Sequence, residues 1–279
     1  MRAMYLRFPG GKAKALTFSY DDGVEQDVPL VEILRKYGMR GTFNINSGLF
    51  SPEGTVHPKG KVHRRMTQAQ VLEAYPPDVC EVACHASHHP HLTMCNSAVV
   101  CNEVLEDRKA LEAIFDRQIH GMAYPFGPTN DMVVDACRLC GIYYSRTVVS
   151  TEKFDMPTDW LRLSATCHHK NPRLMELADR FLAMNATKAP QMFYVWGHAY
   201  EFEENDNWNV IEDFCEKMAG KEDIWYATNM EIYTAWADYM RLETSADGSM
   251  IFNPNCRSVW IANNINQIFE IKPGQTIIA

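Results

Sequence analysis

Apolar residues along most of this chain alternate between two rhythms. Lys14–Tyr20 is a short apolar and aromatic run that stops at Asp21-Asp22-Gly23, the pattern of a buried strand entering a loop. Val28, Val31, Leu34 and Tyr37 follow at helical spacing, and Gly38 closes them. Gly41–Asn46 predicts the second strand. The exchange of periods then continues, with strands expected at Cys80–Cys84, Ile119–Tyr124, Ile142–Val148, Met192–Gly197 and Ile224–Ala227. Helices are expected at Gln68–Ala74, Val99–Phe115, Asp131–Leu139, Pro172–Met184, Asn207–Met218 and Met230–Met240.

Strand-then-helix alternation implies parallel strands joined by right-handed crossovers. Seven such units suit a distorted (β/α)7 TIM-like barrel, complete or incomplete, with an open doubly wound sheet as the alternative. After Arg241 the texture changes. Ser245–Ser249 and Lys272–Gln275 are turn signals among short strand-like runs at Met250–Phe252, Ser258–Ala262, Gln267–Ile271 and Thr276–Ile278. The expected division is therefore a barrel over residues 1–240 and a short C-terminal β appendage over 241–279. So small a piece can hardly fold alone and should pack on the barrel.

Composition narrows the function. The 279 residues are 46% hydrophobic and 22% charged, with a net charge of −8 and no run of Lys or Arg. That argues against a nucleic-acid partner, which requires clustered positive charge. No stretch approaches the roughly 18 apolar residues of a membrane helix, so no membrane partner is expected. Met1–Gly10 lacks the apolar centre of an export signal, and nine cysteines show no disulfide spacing. Both features predict a cytoplasmic protein with reduced thiols. Cys137 and Cys140 form a lone C-x-x-C inside a helical pattern, which reads as packing.

In parallel α/β folds, functional groups gather at the carboxyl ends of the strands. There the sequence places Asp21 and Asp22, then Cys84–Leu92 with four histidines, then Pro125-Phe126-Gly127, Arg146, and Trp196-Gly197-His198. Two adjacent carboxylates repel, and a cation on Asp22 resolves this while leaving Asp21 as a base. His85 and His89 are four apart, so one helical turn would bring their rings together. One Asp and two His with open positions suit a hydrolytic divalent metal, Zn²⁺ first, with Co²⁺ or Ni²⁺ able to use the same ligands. Read alone, Asp21-Asp22-Gly23 is also an ordinary solvated turn. Cys167-His168-His169 reads equally as site lining or as plain loop. The aromatics around His198, including Tyr194 and Trp196, suit sugar stacking or simple core packing, and Glu201 and Glu203 read as solvated.

These motifs resemble those of the NodB-homology polysaccharide deacetylases. Thr17–Gly23 with Gly41–Asn46 is similar to the start of that family, and His85-Ala-Ser-His-His89-Pro90 to its histidine motif. Tyr124-Pro125-Phe126-Gly127 matches its substrate-groove motif, and Trp196-Gly197-His198 its final histidine motif. The resemblance covers about residues 14–236. It implies a distorted (β/α)7 barrel, Asp21 as base, Asp22, His85 and His89 as metal ligands, and His198 as acid. It further implies Tyr124, Pro125, Phe126 and Trp196 as substrate-binding residues and an acetylated sugar or small amide as substrate. Three positions depart from the pattern. Ala86 replaces the usual hydroxyl residue, Asp159-Trp160 only faintly echoes an Asp-Trp motif, and Ala123 stands where the family carries the Arg that orients the base. Arg146, on the neighbouring strand, is the expected substitute, with Arg162 the alternative. The rival functions are hydrolysis of another C–N bond, as in a cyclic amide or ureide, and glycan binding without catalysis.

Overall fold

The structure, a computed structural model, describes residues 4–278. It opens with strand β1 (Met4–Arg7), β2 (Lys14–Asp21), helix α1 (Asp27–Lys36) and β3 (Gly41–Ile45). Next come α2 (Gln68–Ala74), β4 (Cys80–Cys84), α3 (Ser97–Phe115), β5 (Gly121–Ala123), α4 (Asp131–Leu139) and β6 (Tyr144–Ser150). Then follow β7 (Leu163–Ala165), β8 (Cys167–His168), α5 (Leu174–Ala183), β9 (Gln191–Gly197), α6 (Tyr200–Glu204) and α7 (Asn209–Met218). β10 (Ile224–Tyr226) and α8 (Asn229–Met240) lead to β11 (Glu243–Thr244), β12 (Met250–Phe252), β13 (Val259–Asn263), β14 (Ile268–Ile271) and β15 (Thr276–Ile278).

The main sheet is parallel and runs β7-β6-β5-β4-β3-β2-β9-β8. β7 and β8 are one stretch of chain interrupted only at Thr166. On one side of that stretch, Thr151 and Glu152 donate to the carbonyls of Ala165 and Thr166; on the other, Thr166 and His169 donate to Tyr194 and Trp196. Residues 163–168 thus link both ends of the sheet, and the strand path returns on itself in the manner of a (β/α)7 barrel. This strand was not among those expected from the pattern, because Leu163-Ser-Ala-Thr-Cys167 is too short and too mixed to stand out. Ile224–Tyr226, expected as the seventh barrel strand, lies instead beside β2 at Lys14–Leu16, below the point where β3 begins to pair. No α-helix separates β6 from β7, only a single turn of 3-10 helix at Trp160–Arg162.

Side chains of β2 alternate in function as well as direction. Leu16, Phe18 and Tyr20 join the apolar layer beneath the helices. Thr17, Ser19 and Asp21 face inward, onto a polar ladder. At its base the start of α8 enters the barrel: the N–H groups of Asn229 and Met230 donate to Thr42 and Glu81, and the Asn229 amide bridges Thr17 and Tyr194. Glu81 also accepts from Thr42 and Tyr144. A carboxylate at a helix N-terminus is favoured by the peptide dipoles, and here it helps plug the barrel opposite the mouth.

The four C-terminal runs form strands within a residue of their expected limits. They build two three-stranded antiparallel sheets around Ile251, Val259, Ile261 and Ile271. β1 pairs with β13, so the first residues of the chain complete the last sheet. Tyr239 of α8 donates to the Met4 carbonyl and ties this layer to the barrel. No described helix is long and apolar enough to cross a membrane, and all nine cysteines are free thiols.

Candidate metal and catalytic site at the barrel mouth

Strand β2 delivers two carboxylates to different jobs because the backbone turns sharply between them. Asp21 ends the strand facing inward, whereas Asp22 takes a left-handed conformation with φ +86°. Such a conformation is costly for a residue with a Cβ and tends to persist where a site requires it. Asp22, His85 and His89 bring one ligand atom each to within 4.8 Å of one another.

The histidine loop is not helical. Ala86 and His89 both have positive φ, 57° and 54°, and this left-handed course sets the two rings 4.7 Å apart, in place of the helical turn expected from their spacing. Asn46 donates to the carbonyls of His85 and Ala86, and Asp107 accepts from the N–H groups of Ser47 and His85. Both strand ends are thereby pinned to one buried carboxyl, which burial pushes up to about 7.

The donor set fits a divalent cation. His85 Nδ1 lies 2.8 Å from the Ala123 carbonyl, which can only accept, so the ring proton sits on Nδ1 and the Nε2 lone pair is left free. Burial holds His85 below its ordinary range and takes His89 down to about 4, so both rings are neutral, as ligation requires. Burial raises the Asp22 carboxyl, but its bond to His63 and the charge of Arg65 outweigh this and keep it ionised. A hard anion and two neutral imidazoles suit Zn²⁺ and its neighbours in the first transition row.

Asp21 sits beside this cluster at 3% exposure. Asn44 donates to its Oδ1, and the Arg146 guanidinium to its Oδ2. Burial raises the Asp21 carboxyl, but Arg146 first, then His198, draw it below the usual carboxylate range. Arg146 is 1% exposed and lies under the Trp196 ring, its guanidinium carbon 4.4 Å from the ring centroid. Arg162 is elsewhere: it pairs with Asp159 and Asp131 at the surface. His198 Nε2 faces Asp21 Oδ2 across 3.9 Å.

The groove motif makes a turn in which Gly127 N–H donates to the Tyr124 carbonyl. Phe126 holds φ +61° at a position that normally calls for glycine. Its ring is 51% exposed and stacks on His91 at 3.8 Å, with His89 against it at 4.4 Å. Tyr124, Pro125 and Trp196 are buried. Tyr124 donates to the Leu161 carbonyl, and Trp196 to Ser150. They shape the mouth from behind, and of the four groove residues named from sequence only Phe126 presents a face to a substrate.

Three side chains escaped the sequence reading. His63 and Arg65, from the long loop before α2, bond both oxygens of Asp22, at 3.2 and 3.0 Å. Nothing in their sequence context marks them, because they lie outside every strand end. Glu201, read as solvated, meets His168, His169 and His198.

Fold and site together define an α/β barrel protein with a cation-ready cluster of two imidazoles and a carboxylate at its mouth. Residues 9–145 match the family model described as polysaccharide deacetylase. A putative polysaccharide deacetylase from Mycobacterium smegmatis has the same fold at TM-score 0.57 and 14% identity, over 84% of this chain and 93% of that one. The Xyl-CE4 domain of a multidomain xylanase from the hindgut metagenome of Trinervitermes trinervoides superposes at TM-score 0.51 and 15% identity, over 81% and 91%. A Streptococcus pyogenes deacetylase solved with acetate matches only at TM-score 0.41 and 21% identity, over 47% of this chain and 55% of its own length. No curated protein matches this sequence.

Proposed function

We propose that this protein is a metal-dependent hydrolase that removes N-acetyl groups, with O-acetyl groups the second choice, from a carbohydrate. The observation that carries the reading is the convergence of Asp22, His85 and His89 beside the Arg146-held carboxylate of Asp21, with His198 opposite. Asp22, His85 and His89 would hold one divalent cation, Zn²⁺ or else Co²⁺ or Ni²⁺. When bound, that ion would acidify a water and polarise the acyl oxygen.

The chain's own groups then divide the proton work. Asp21, ionised and aimed by Arg146 and Asn44, accepts the proton of the attacking water. The Phe126 N–H, not used by the turn bond from Gly127, would meet negative charge developing on the acyl oxygen. His198 gives a proton to the departing nitrogen. Burial lowers His198, but the carboxylates of Glu201, 3.6 Å from its Nδ1, and of Asp21 outweigh this and raise it, as suits an acid. The half-exposed Phe126 ring with His91 offers an apolar platform for a sugar face.

The test is a screen of metal-loaded protein against acetylated oligosaccharides, acetylated monosaccharides and cyclic amides. Acetate release from a sugar that stops with a chelator and returns with Zn²⁺ supports the reading. Turnover of cyclic amides alone moves the protein to another C–N hydrolysis, and glycan binding without turnover of any substrate makes it a binding domain.

A further inference from the structure

We infer that Glu201 positions His198, fixing which ring nitrogen faces the reaction, through a cluster of imidazoles gathered on one carboxylate oxygen. Glu201 lies three residues after His198 and folds back so that its Oε2 accepts from the His198 N–H at 3.3 Å. The same oxygen lies 3.6 Å from His198 Nδ1, 3.2 Å from His168 Nε2 and 3.2 Å from His169 Nε2, while Lys170 Nζ holds Oε1 at 2.9 Å.

Two readings of this cluster compete. His168, His198 and Glu201 offer ligand atoms within 4.8 Å of one another, the outline of a second cation site. The tautomer of His168 decides against it. The Lys170 N–H donates to His168 Nδ1 at 3.1 Å, so in the neutral ring the proton lies on Nε2 and points at Glu201. A cation on Nε2 would require that proton on Nδ1, facing another N–H. Lys170 already supplies the positive charge that a metal would bring. The cluster is therefore an anion among donors. Burial raises the Glu201 carboxyl, but the bonds from His168, His198 and Lys170 outweigh it and hold Glu201 ionised.

The consequence falls on His198. With Nδ1 buried on the Glu201 side, 3.6 Å from Oε2 and with no hydrogen-bond partner among the described residues, Nε2 is the nitrogen that faces Asp21 and the reaction space. When imidazolium gives its Nε2 proton to the departing nitrogen, the ring is left with its proton on Nδ1, the nitrogen on the side of the Glu201 carboxylate. Glu201 thus acts through His198 and is a positioning residue. His168 and Lys170 in turn hold Glu201 in place.

The inference uses the deacetylase reading for its kinetic readout only. The experiment compares the full chain, Glu201→Gln, Glu201→Asp and His168→Gln, with the His198 ring signals assigned by nitrogen-15 NMR through their loss in His198→Gln. At a pH high enough to make the ring neutral, the wild type should show the Nδ1–H tautomer of His198, and Glu201→Gln should lose that preference. In Glu201→Gln, kcat should fall roughly 10–100-fold with KM and bound metal unchanged, comparable to the loss of other carboxylate partners of functional histidines. Glu201→Asp should recover part of kcat, and His168→Gln should lose less than Glu201→Gln. An unchanged His198 tautomer in Glu201→Gln overturns the inference. So does a second zinc ion per chain that disappears in that variant. If the wild type releases no acetate, the proposed function fails, while the tautomer still decides the role of Glu201.

Discussion

Arg146 stands in register with Ala123 and sets its guanidinium on the carboxylate of Asp21. The neighbouring strand thus supplies the arginine that the groove motif lacks, to the same carboxylate and from one strand further round the barrel. Breaking a buried pair leaves an uncompensated charge, so in Arg146→Met the largest influence opposing burial is gone and the Asp21 pKa rises. The base is then protonated over more of the pH range. Turnover at neutral pH should fall by roughly 10²-fold and recover in part as pH increases, with the acid limb of the kcat/KM profile displaced upward. A uniform loss at all pH values counts against Arg146 as the partner of the base.

The two aspartates should separate cleanly. His85→Ala should lose most of the bound metal, measured by elemental analysis after dialysis. Asp21→Asn should retain about one ion per chain and lose roughly 10²–10⁴-fold in turnover, the usual worth of a general base. Equal loss of metal in both variants would show that Asp21 is a ligand too.

Phe126 joins a strained backbone to an exposed ring. Phe126→Gly relieves the positive φ, which in a folded chain suits glycine, but removes the platform beside His89 and His91. Thermal stability should hold or increase slightly while KM for an oligosaccharide rises several-fold. Unchanged KM would place the substrate on another wall of the mouth.

Asp27 predicts a pH dependence of stability. It is fully buried, its Oδ2 accepts from Val24 N–H and Tyr75, and its Oδ1 has no hydrogen-bond partner among the described residues. Burial pushes its pKa up to about 8, well above that of an unfolded aspartate. Between the two values the native state keeps a proton that the unfolded chain releases. Its contribution is therefore complete below the unfolded pKa and is lost as pH rises toward 8, at up to about 1.4 kcal/mol per pH unit. Asp27→Asn, which presents the neutral group permanently, should flatten this slope between roughly pH 4 and 8 and raise the melting temperature at pH 8. Chemical denaturation across pH checks both.

Much of the fold was legible because apolar period follows secondary structure directly. Gln68–Ala74 and Asp131–Leu139 form helices at the expected residues, and the C-terminal strands lie within one residue of theirs. The segment at 163–168 was illegible for the opposite reason. A short strand whose partners are supplied by β6 and β9 carries no period of its own, and its existence depends on the gap it fills. The turn of Ile224–Tyr226 onto the flank of β2, rather than into the ring, is decided by the same competition for edges.

At the site, the sequence determined which chemical groups are present and which strand ends carry them. Alternation along β2 commits Asp21 to the interior, and the loop signal after it commits Asp22 to the mouth. What only the tertiary structure decided is which groups meet. The left-handed course of residues 86–89 brings His89 to His85, a loop more than forty residues after Asp22 places His63 and Arg65 on it, and the fold of α6 against β8 sets Glu201, expected to be solvated, within 4 Å of three imidazoles. A one-dimensional pattern records the direction in which each side chain leaves the backbone; the distances between side chains follow from closure of the barrel and the packing of its loops, which depend on all the strands at once.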